Sequence, residues 1–152
     1  KELDTDKKLV IAGGSSHTKE YESELKALAN GNENIIFTGF IQGKELDELY
    51  SNAYIYCLPS DLEGMPISLL EAMSYGNCCL TSDIAECSEV CGENAVYFEK
   101  GDVQSLKNEL KILLDNTERV SELKSSSSEY ILSRYDWDKV CNETLKLYES
   151  IK

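Results

Sequence analysis

The chain has 152 residues, 41% of them hydrophobic and 28% charged, which is the composition of one globular domain with a real core. Its 28 acidic residues against 15 basic ones leave a net charge of -13. That excess argues against nucleic acid and anionic lipid, both of which bind clustered Lys and Arg, and no apolar run approaches the roughly 20 residues needed to span a bilayer. The first residues are charged with no apolar block behind them, so no signal peptide is expected.

Taken in order, the elements alternate. Lys7 to Ala12 reads as a short buried strand, ended by Gly13-Gly14-Ser15-Ser16. Lys19 to Ala29 places Tyr21, Leu25, Leu28 and Ala29 at helical spacing, and Gly31-Asn32 closes that helix. Ile35 to Thr38 is a second strand before Gly39. Lys44 to Ser51 is a helix with Leu46, Leu49 and Tyr50 inward, and Ala53 to Leu58 is a third strand stopped by Pro59. Beyond the next helix come Cys78 to Thr81 as strand, Ile84 to Val90 as a short helix, and Ala95 to Phe98 as a fifth strand. Helices follow over Val103 to Leu114 and Thr117 to about Ser133. Tyr135-Asp136-Trp137 breaks the pattern, Asp138 caps a last helix to Ile151, and Trp137 anchors it. Apolar strands alternating with helices predict an α/β, Rossmann-like parallel sheet covered on both faces, with extra C-terminal helices. Ligands in such sheets bind at the carboxyl ends of the strands.

The stretch from Ser60 to Met73 carries the candidate chemistry. Pro66 suits a first helical turn and Gly76 a helix stop. Ile67, Leu69, Leu70, Ala72 and Met73 cover one side at 100° per residue, and Ser68, Glu71, Ser74 and Tyr75 share the other. Glu63 sits in the loop before the helix. Amides at a helix N-terminus suit phosphate, and two carboxylates suit neutral sugar hydroxyls, so the pattern points to a phosphorylated sugar or nucleotide. An amphipathic helix with solvated glutamates accounts for the same residues.

Other candidates are weaker. Gly13-Gly14-Ser15-Ser16-His17 lies where a phosphate loop would, without the dinucleotide or Walker spacing, and His17 is the only histidine. Phe40 and Ile41 either flank a flat base or pack under their own loop. Of the six cysteines, Cys57, Cys78 and Cys79 fall in apolar runs as small hydrophobes. Cys87 and Cys91 lack the partners a zinc site requires. Reduced thiols and a cytoplasmic location are expected. Tyr50, Tyr54, Tyr56, Tyr75, Tyr97 and Tyr130 read as core or half-buried, and Ser125 to Ser128 is a low-complexity patch without an assigned role.

Along nearly its whole length the chain resembles the C-terminal, donor-binding half of a GT-B glycosyltransferase of the retaining family 4 type. The likeness lies in Leu9 to Gly14, Ile36 to Phe40, Leu58-Pro59-Ser60, Glu63-Gly64-Met65-Pro66, Leu70-Glu71-Ala72-Met73 with Gly76, Tyr135-Asp136-Trp137, and Leu147-Tyr148. The resemblance implies transfer of a sugar from a nucleotide diphosphate donor, such as a UDP- or GDP-sugar, to a hydroxyl acceptor with retention, in polysaccharide or glycolipid synthesis. Glu63 would act at the reacting centre. Gly64, Met65 and Pro66 would approach the sugar, Ile67 and Ser68 the diphosphate, Glu71 the ribose, and Phe40 and Ile41 the base, with Gly14 among the donor-binding positions. No metal or cofactor is implied beyond the nucleotide sugar, and a full-length enzyme would associate peripherally with a membrane.

The family's diphosphate-gripping Arg and Lys have no match here. Residues 1–152 are therefore expected to be a nucleotide-sugar-binding domain truncated at its N-terminus, without its acceptor-binding domain and inactive alone. The alternatives are an epimerase-like enzyme on the same fold, which would lack the paired glutamates, and a non-enzymatic α/β module.

Overall fold

The computed structural model describes residues 3, 5–14 and 19–151. Ser15, Ser16, His17 and Thr18 lie outside the described residues, and with them the rest of the loop that Gly13 and Gly14 open. The elements run β1 (Leu9–Ala12), α1 (Lys19–Ala29), β2 (Ile35–Gly39), α2 (Lys44–Asn52), β3 (Tyr56–Leu58), α3 (Ile67–Ser74), β4 (Cys79–Ser82), α4 (Ala85–Cys91), β5 (Ala95–Phe98), α5 (Val103–Asp115), α6 (Thr117–Arg134) and α7 (Trp137–Ser150). The chain clusters into two compact units, Lys1–Leu49 and Tyr50–Lys152.

In the first unit β1 and β2 pair in parallel, Leu9 against Ile35 through Ala12 against Gly39, with a register shift between Ile11 and Ala12. The expectation of a buried first strand fails here. Leu9 is 52% exposed, and Val10 and Ala12 are exposed as well. Nor does α1 bury the stripe its spacing suggests, because only Ala29 is buried while Tyr21 and Leu28 stand exposed. The reason is geometric. Two strands make a ribbon too narrow to seal a helix face. What remains is an open apolar cavity of about 290 Å³ lined by Leu9, Ile11, Leu25, Leu28, Ala29, Ile35 and Phe37.

The second unit closes. Its sheet has the order β3-β4-β5, all parallel, with Leu58 opposite Thr81 and Thr81 opposite Tyr97. The central strand is buried at every residue. Cys78 and Leu80 join Phe98, Leu113, Val120 and Leu123 in a core against α5 and α6. Cys79 lies electrostatically beside Cys91, and the Cys91 thiol meets the Met73 sulfur at 3.5 Å. Helices therefore cover both faces, as a parallel sheet requires. Cys78, Cys79, Cys87 and Cys91 are buried free thiols, Cys57 is half-buried, and Cys141 is exposed. Burial pushes the Cys57 and Cys78 thiols up to about 11 and that of Cys91 to about 12.

The third strand begins at Tyr56, three residues later than expected. The last helix is capped by Asp136, whose carboxylate accepts the Asp138 amide at 2.9 Å, and not by Asp138. The cap falls there because Asp136 still has extended backbone, φ -126 and ψ 122, which a capping residue needs. Trp137 anchors nothing. It is the first residue of α7 and 77% exposed, and no residue of α7 is buried. Among the described residues no helix is long and apolar enough to cross a membrane.

Candidate functional site

The loop from Pro59 to Pro66 leaves the carboxyl end of β3 and turns into α3. Two side chains of the neighbouring strand hold its start. Thr81 Oγ1 donates to the Leu58 carbonyl at 3.2 Å, and Ser82 Oγ donates to the Ser60 carbonyl. Ser60 Oγ in turn donates to Glu63 Oε1 at 2.7 Å, which orients the half-buried carboxylate. Lys100 brings positive charge to the same loop, its Nζ donating to the Asp61 carbonyl at 3.2 Å while its amide donates to Asp83 Oδ1.

The helix itself obeys its punctuation. Pro66 stands at the N-cap, buried, with no N–H and no side-chain cap. At the other end Gly76 has φ +72, its amide donates to the Met73 carbonyl and the Asn77 amide reaches back to Ala72. That pair of bonds is a Schellman stop, which needs the left-handed residue that glycine supplies most cheaply. Ser127 and Ser128 of α6 donate to the Met73 and Ser74 carbonyls at 2.9 and 3.0 Å. Ser127 and Ser128 thus clamp α6 to carbonyls of the last turn of α3, while Ser125 and Ser126 bond carbonyls of their own helix.

Leu69, Ala72 and Met73 are fully buried, as the apolar side predicts, whereas Ile67 is half-exposed. Its place as first helical residue beside an open loop explains the difference. Met65 and Leu62 are also exposed. The Ile67 amide, expected to face a diphosphate, donates to the Met65 carbonyl at 2.8 Å.

Glu71 is exposed on the polar side, and its Oε2 accepts from the Tyr50 hydroxyl at 3.1 Å. The Tyr50 and Tyr56 rings lie 5.9 Å apart. Tyr56 hydrogen-bonds the Ser68 side chain and feels the charge of Glu63. Glu71 is thus bonded to one member of the tyrosine pair, and the charge of Glu63, in the loop at the carboxyl edge of the sheet, reaches the other. Burial pushes the Tyr56 phenol up to about 12, the Ser68 hydrogen bond opposing it. Burial, then Tyr56 and Glu71, push Tyr50 well above the ordinary phenol range, so both hydroxyls stay donors at neutral pH.

The structure thus brings Glu63, Ser68 and Glu71 together, with Gly64, Met65, Pro66 and Ile67 in the connecting segment. In the other unit it brings Gly14 beside Phe40. A Cβ on Gly14 would lie 3.6 Å from the Phe40 amide, and the Gly13 amide donates to the Gly39 carbonyl at 2.9 Å. The Phe40 side chain is 78% exposed and Ile41 is half-buried. Sequence reasoning missed Tyr50, Tyr56 and Ser60 as members of the site. Tyr50 is read as inward-facing, but nothing local pairs it with an acid 21 positions away. Among the described residues no three His, Cys, Asp or Glu side chains converge as metal ligands would.

Solved structures share this architecture. Anabaena HepE, solved in complex with UDP and glucose, superposes with a TM-score of 0.85 at 17% identity, covering 94% of this chain and 40% of that one. Sucrose-phosphate synthase from Thermosynechococcus elongatus gives a TM-score of 0.85 at 20% identity, over 95% of this chain and 38% of that one. The fold is that of the GT-B glycosyltransferases. The sequence is more particular: the family described as Glycosyl transferases group 1 matches residues 1–130, and the chain belongs to that family.

Among curated relatives, an uncharacterized glycosyltransferase of Methanocaldococcus jannaschii is 26% identical over 144 residues, 93% of this chain and 37% of that protein. A sulfoquinovosyl transferase of Arabidopsis thaliana is 28% identical over 122 residues, 77% of this chain and 24% of that protein. A serotype-specific mannosyltransferase of Escherichia coli is 34% identical over 91 residues, 60% of this chain and 11% of that protein. The chain spans well under half the length of each.

Proposed function

We propose that this chain is the donor-binding part of a hexosyltransferase that moves a sugar from a nucleotide diphosphate sugar to a hydroxyl acceptor with retention of configuration. The carrying observation is the loop at the carboxyl end of β3, where α/β folds bind ligands: Ser60 orients Glu63 there, and Tyr50 holds Glu71 on the helix that follows. In this reading Glu63, oriented by Ser60, lies at the sugar. Gly64, Met65 and Pro66 shape the approach, Ile67 and Ser68 face the diphosphate, and Glu71 accepts from the ribose hydroxyls. Gly14, Phe40 and Ile41 belong to the donor-binding set by resemblance.

The bond between the anomeric carbon and the diphosphate oxygen breaks and a bond to the acceptor oxygen forms. The acceptor's proton leaves with the departing diphosphate. The protein's task is to stabilise charge on that leaving group, which preorganised donors do at low cost. No resident metal or cofactor enters this scheme. HepE was solved with UDP and with UDP-glucose, and several relatives bear the names of sugar transferases. Both support the reading, and an Escherichia coli relative named as an O-antigen chain mannosyltransferase supports a role in polysaccharide synthesis.

Isothermal titration of UDP, GDP and their sugars against the full-length protein tests it. The expected result is saturable binding of one nucleotide sugar, weakened about tenfold or more by Glu71→Ala, a loss of the size expected for charged hydrogen bonds. Absence of binding by every nucleotide, or binding indifferent to both Glu63→Gln and Glu71→Ala, overturns it.

A further inference from the structure

We propose that Tyr50 is a positioning residue for Glu71, fixing its carboxylate to receive the vicinal hydroxyls of the donor's ribose; this rests on the donor-site reading above. A glutamate on an exposed helix face samples several rotamers and loses that freedom when a ligand is bound. Here the loss precedes the ligand. The Tyr50 hydroxyl donates to Glu71 Oε2 at 3.1 Å, with a longer second contact of 3.4 Å to the Ser68 carbonyl.

The phenol that does this is itself held between two other rings. Tyr50 is buried, its ring stacks on Tyr75 at 5.4 Å and 20°, and it leans on Tyr56 at 5.9 Å. Its main chain is tied to the same helix. The side-chain amide of buried Asn77 donates to the Tyr50 carbonyl at 2.9 Å and to the Ala72 carbonyl at 3.0 Å, one residue beyond Glu71. One amide thus sets the spacing between the tyrosine and the turn that carries the acid. The amide bridge joins positions 27 and 5 residues apart from Asn77, so it ties tertiary structure and not only a local turn.

The donor's chemistry matters. A lysine in this place would neutralise the carboxylate, whereas a neutral hydroxyl leaves its charge intact. With one lone pair of Oε2 occupied, Oε1 and the remaining pair on Oε2 can accept from two adjacent hydroxyls. Because burial keeps the phenol protonated at all ordinary pH, Tyr50 stays a donor whenever Glu71 is ionised.

The test compares the tighter-binding of UDP and GDP with the same nucleotide lacking both ribose hydroxyls, by isothermal titration on the full-length protein. The wild-type protein is expected to prefer the complete nucleotide by about tenfold or more. Tyr50→Phe keeps the ring and its stacking, and is expected to shrink that preference to about threefold or less, leaving affinity for the hydroxyl-free nucleotide within about twofold. Tyr97→Phe removes another phenol, one that donates to the Gly92 carbonyl and not to an acid, and is expected to keep the full preference. If Tyr50→Phe keeps the wild-type preference, or weakens both nucleotides alike as a merely structural change would, the positioning role is overturned while the donor site stands. If the wild-type protein shows no preference, the donor-site reading falls and takes this inference with it.

Discussion

The first strand of one unit and the central strand of the other invert what hydrophobicity alone would give. Leu9-Val10-Ile11-Ala12 is the more apolar strand, yet it is largely exposed; Cys79-Leu80-Thr81-Ser82 holds two hydroxyls, yet it is buried throughout. Number of neighbours decides the matter. The central strand of β3-β4-β5 has a partner on each edge and helices on each face, and its hydroxyls are satisfied by the Leu58 and Ser60 carbonyls. The β1-β2 ribbon has one pairing only. Burial follows from architecture, and composition only permits it. The candidate acids stand on the unit that is closed, where a rigid scaffold can hold a site to the tolerance that binding requires.

The sharpest way to break this comparison is to truncate one aliphatic strand side chain to alanine in each unit. Leu80→Ala opens a cavity in the closed core and is expected to cost about 2–5 kcal/mol in urea unfolding, whereas Val10→Ala is expected to cost below about 1 kcal/mol. Equal costs would dissolve the distinction.

A second, smaller effect lies at Gly92. Its φ is +53, and an added Cβ would lie 2.7 Å from the Tyr130 hydroxyl. Gly92→Ala is expected to destabilise by about 1–3 kcal/mol, and by less when combined with Tyr130→Phe, which removes the clashing oxygen. Gly31→Ala, with φ +67 and open space around it, meets strain alone and is expected to cost about 1 kcal/mol.

The next effect is a pH dependence confined to the closed unit. Burial raises the Cys91 thiol from 9.0 to about 12 and the Tyr56 phenol from 10.0 to about 12. Folded-state values above the unfolded ones mean these groups contribute stability that is whole below pH 9 and is lost as pH climbs through about 12. Denaturant midpoints are expected to hold steady near neutrality and fall across that alkaline window. A midpoint that instead rises there contradicts the burial assigned to these groups. A comparably small effect, about 1 kcal/mol, is expected at Ser127→Ala, since the Met73 carbonyl keeps its bond from the Gly76 amide.

Local chemistry was legible in the sequence wherever one residue carries the signal. Gly76 stops α3, Tyr135-Asp136 separates the last two helices, and each expected strand and helix appears, with ends moved by a few residues. The family likeness singled out the paired glutamates as candidates. What stayed hidden was long-range. A periodic stripe such as Tyr21, Leu25, Leu28 predicts an apolar face but not whether anything broad enough will cover it. Trp137 reads as an anchor because large aromatics usually are buried, yet its helix buries nothing. Ser125 to Ser128 reads as low complexity because the carbonyls that Ser127 and Ser128 clamp lie 54 positions away. The tyrosine that grips Glu71 escaped for the same reason.

The most direct measurement is a map of amide chemical shifts as UDP is added to the isotopically labelled protein. The account predicts the largest shifts at Ser60, Glu63, Gly64, Ser68 and Glu71, with the saturation midpoint raised about tenfold or more by Glu71→Ala. Saturable shifts confined to α5, α6 and α7, with that loop and α3 unmoved, would contradict it.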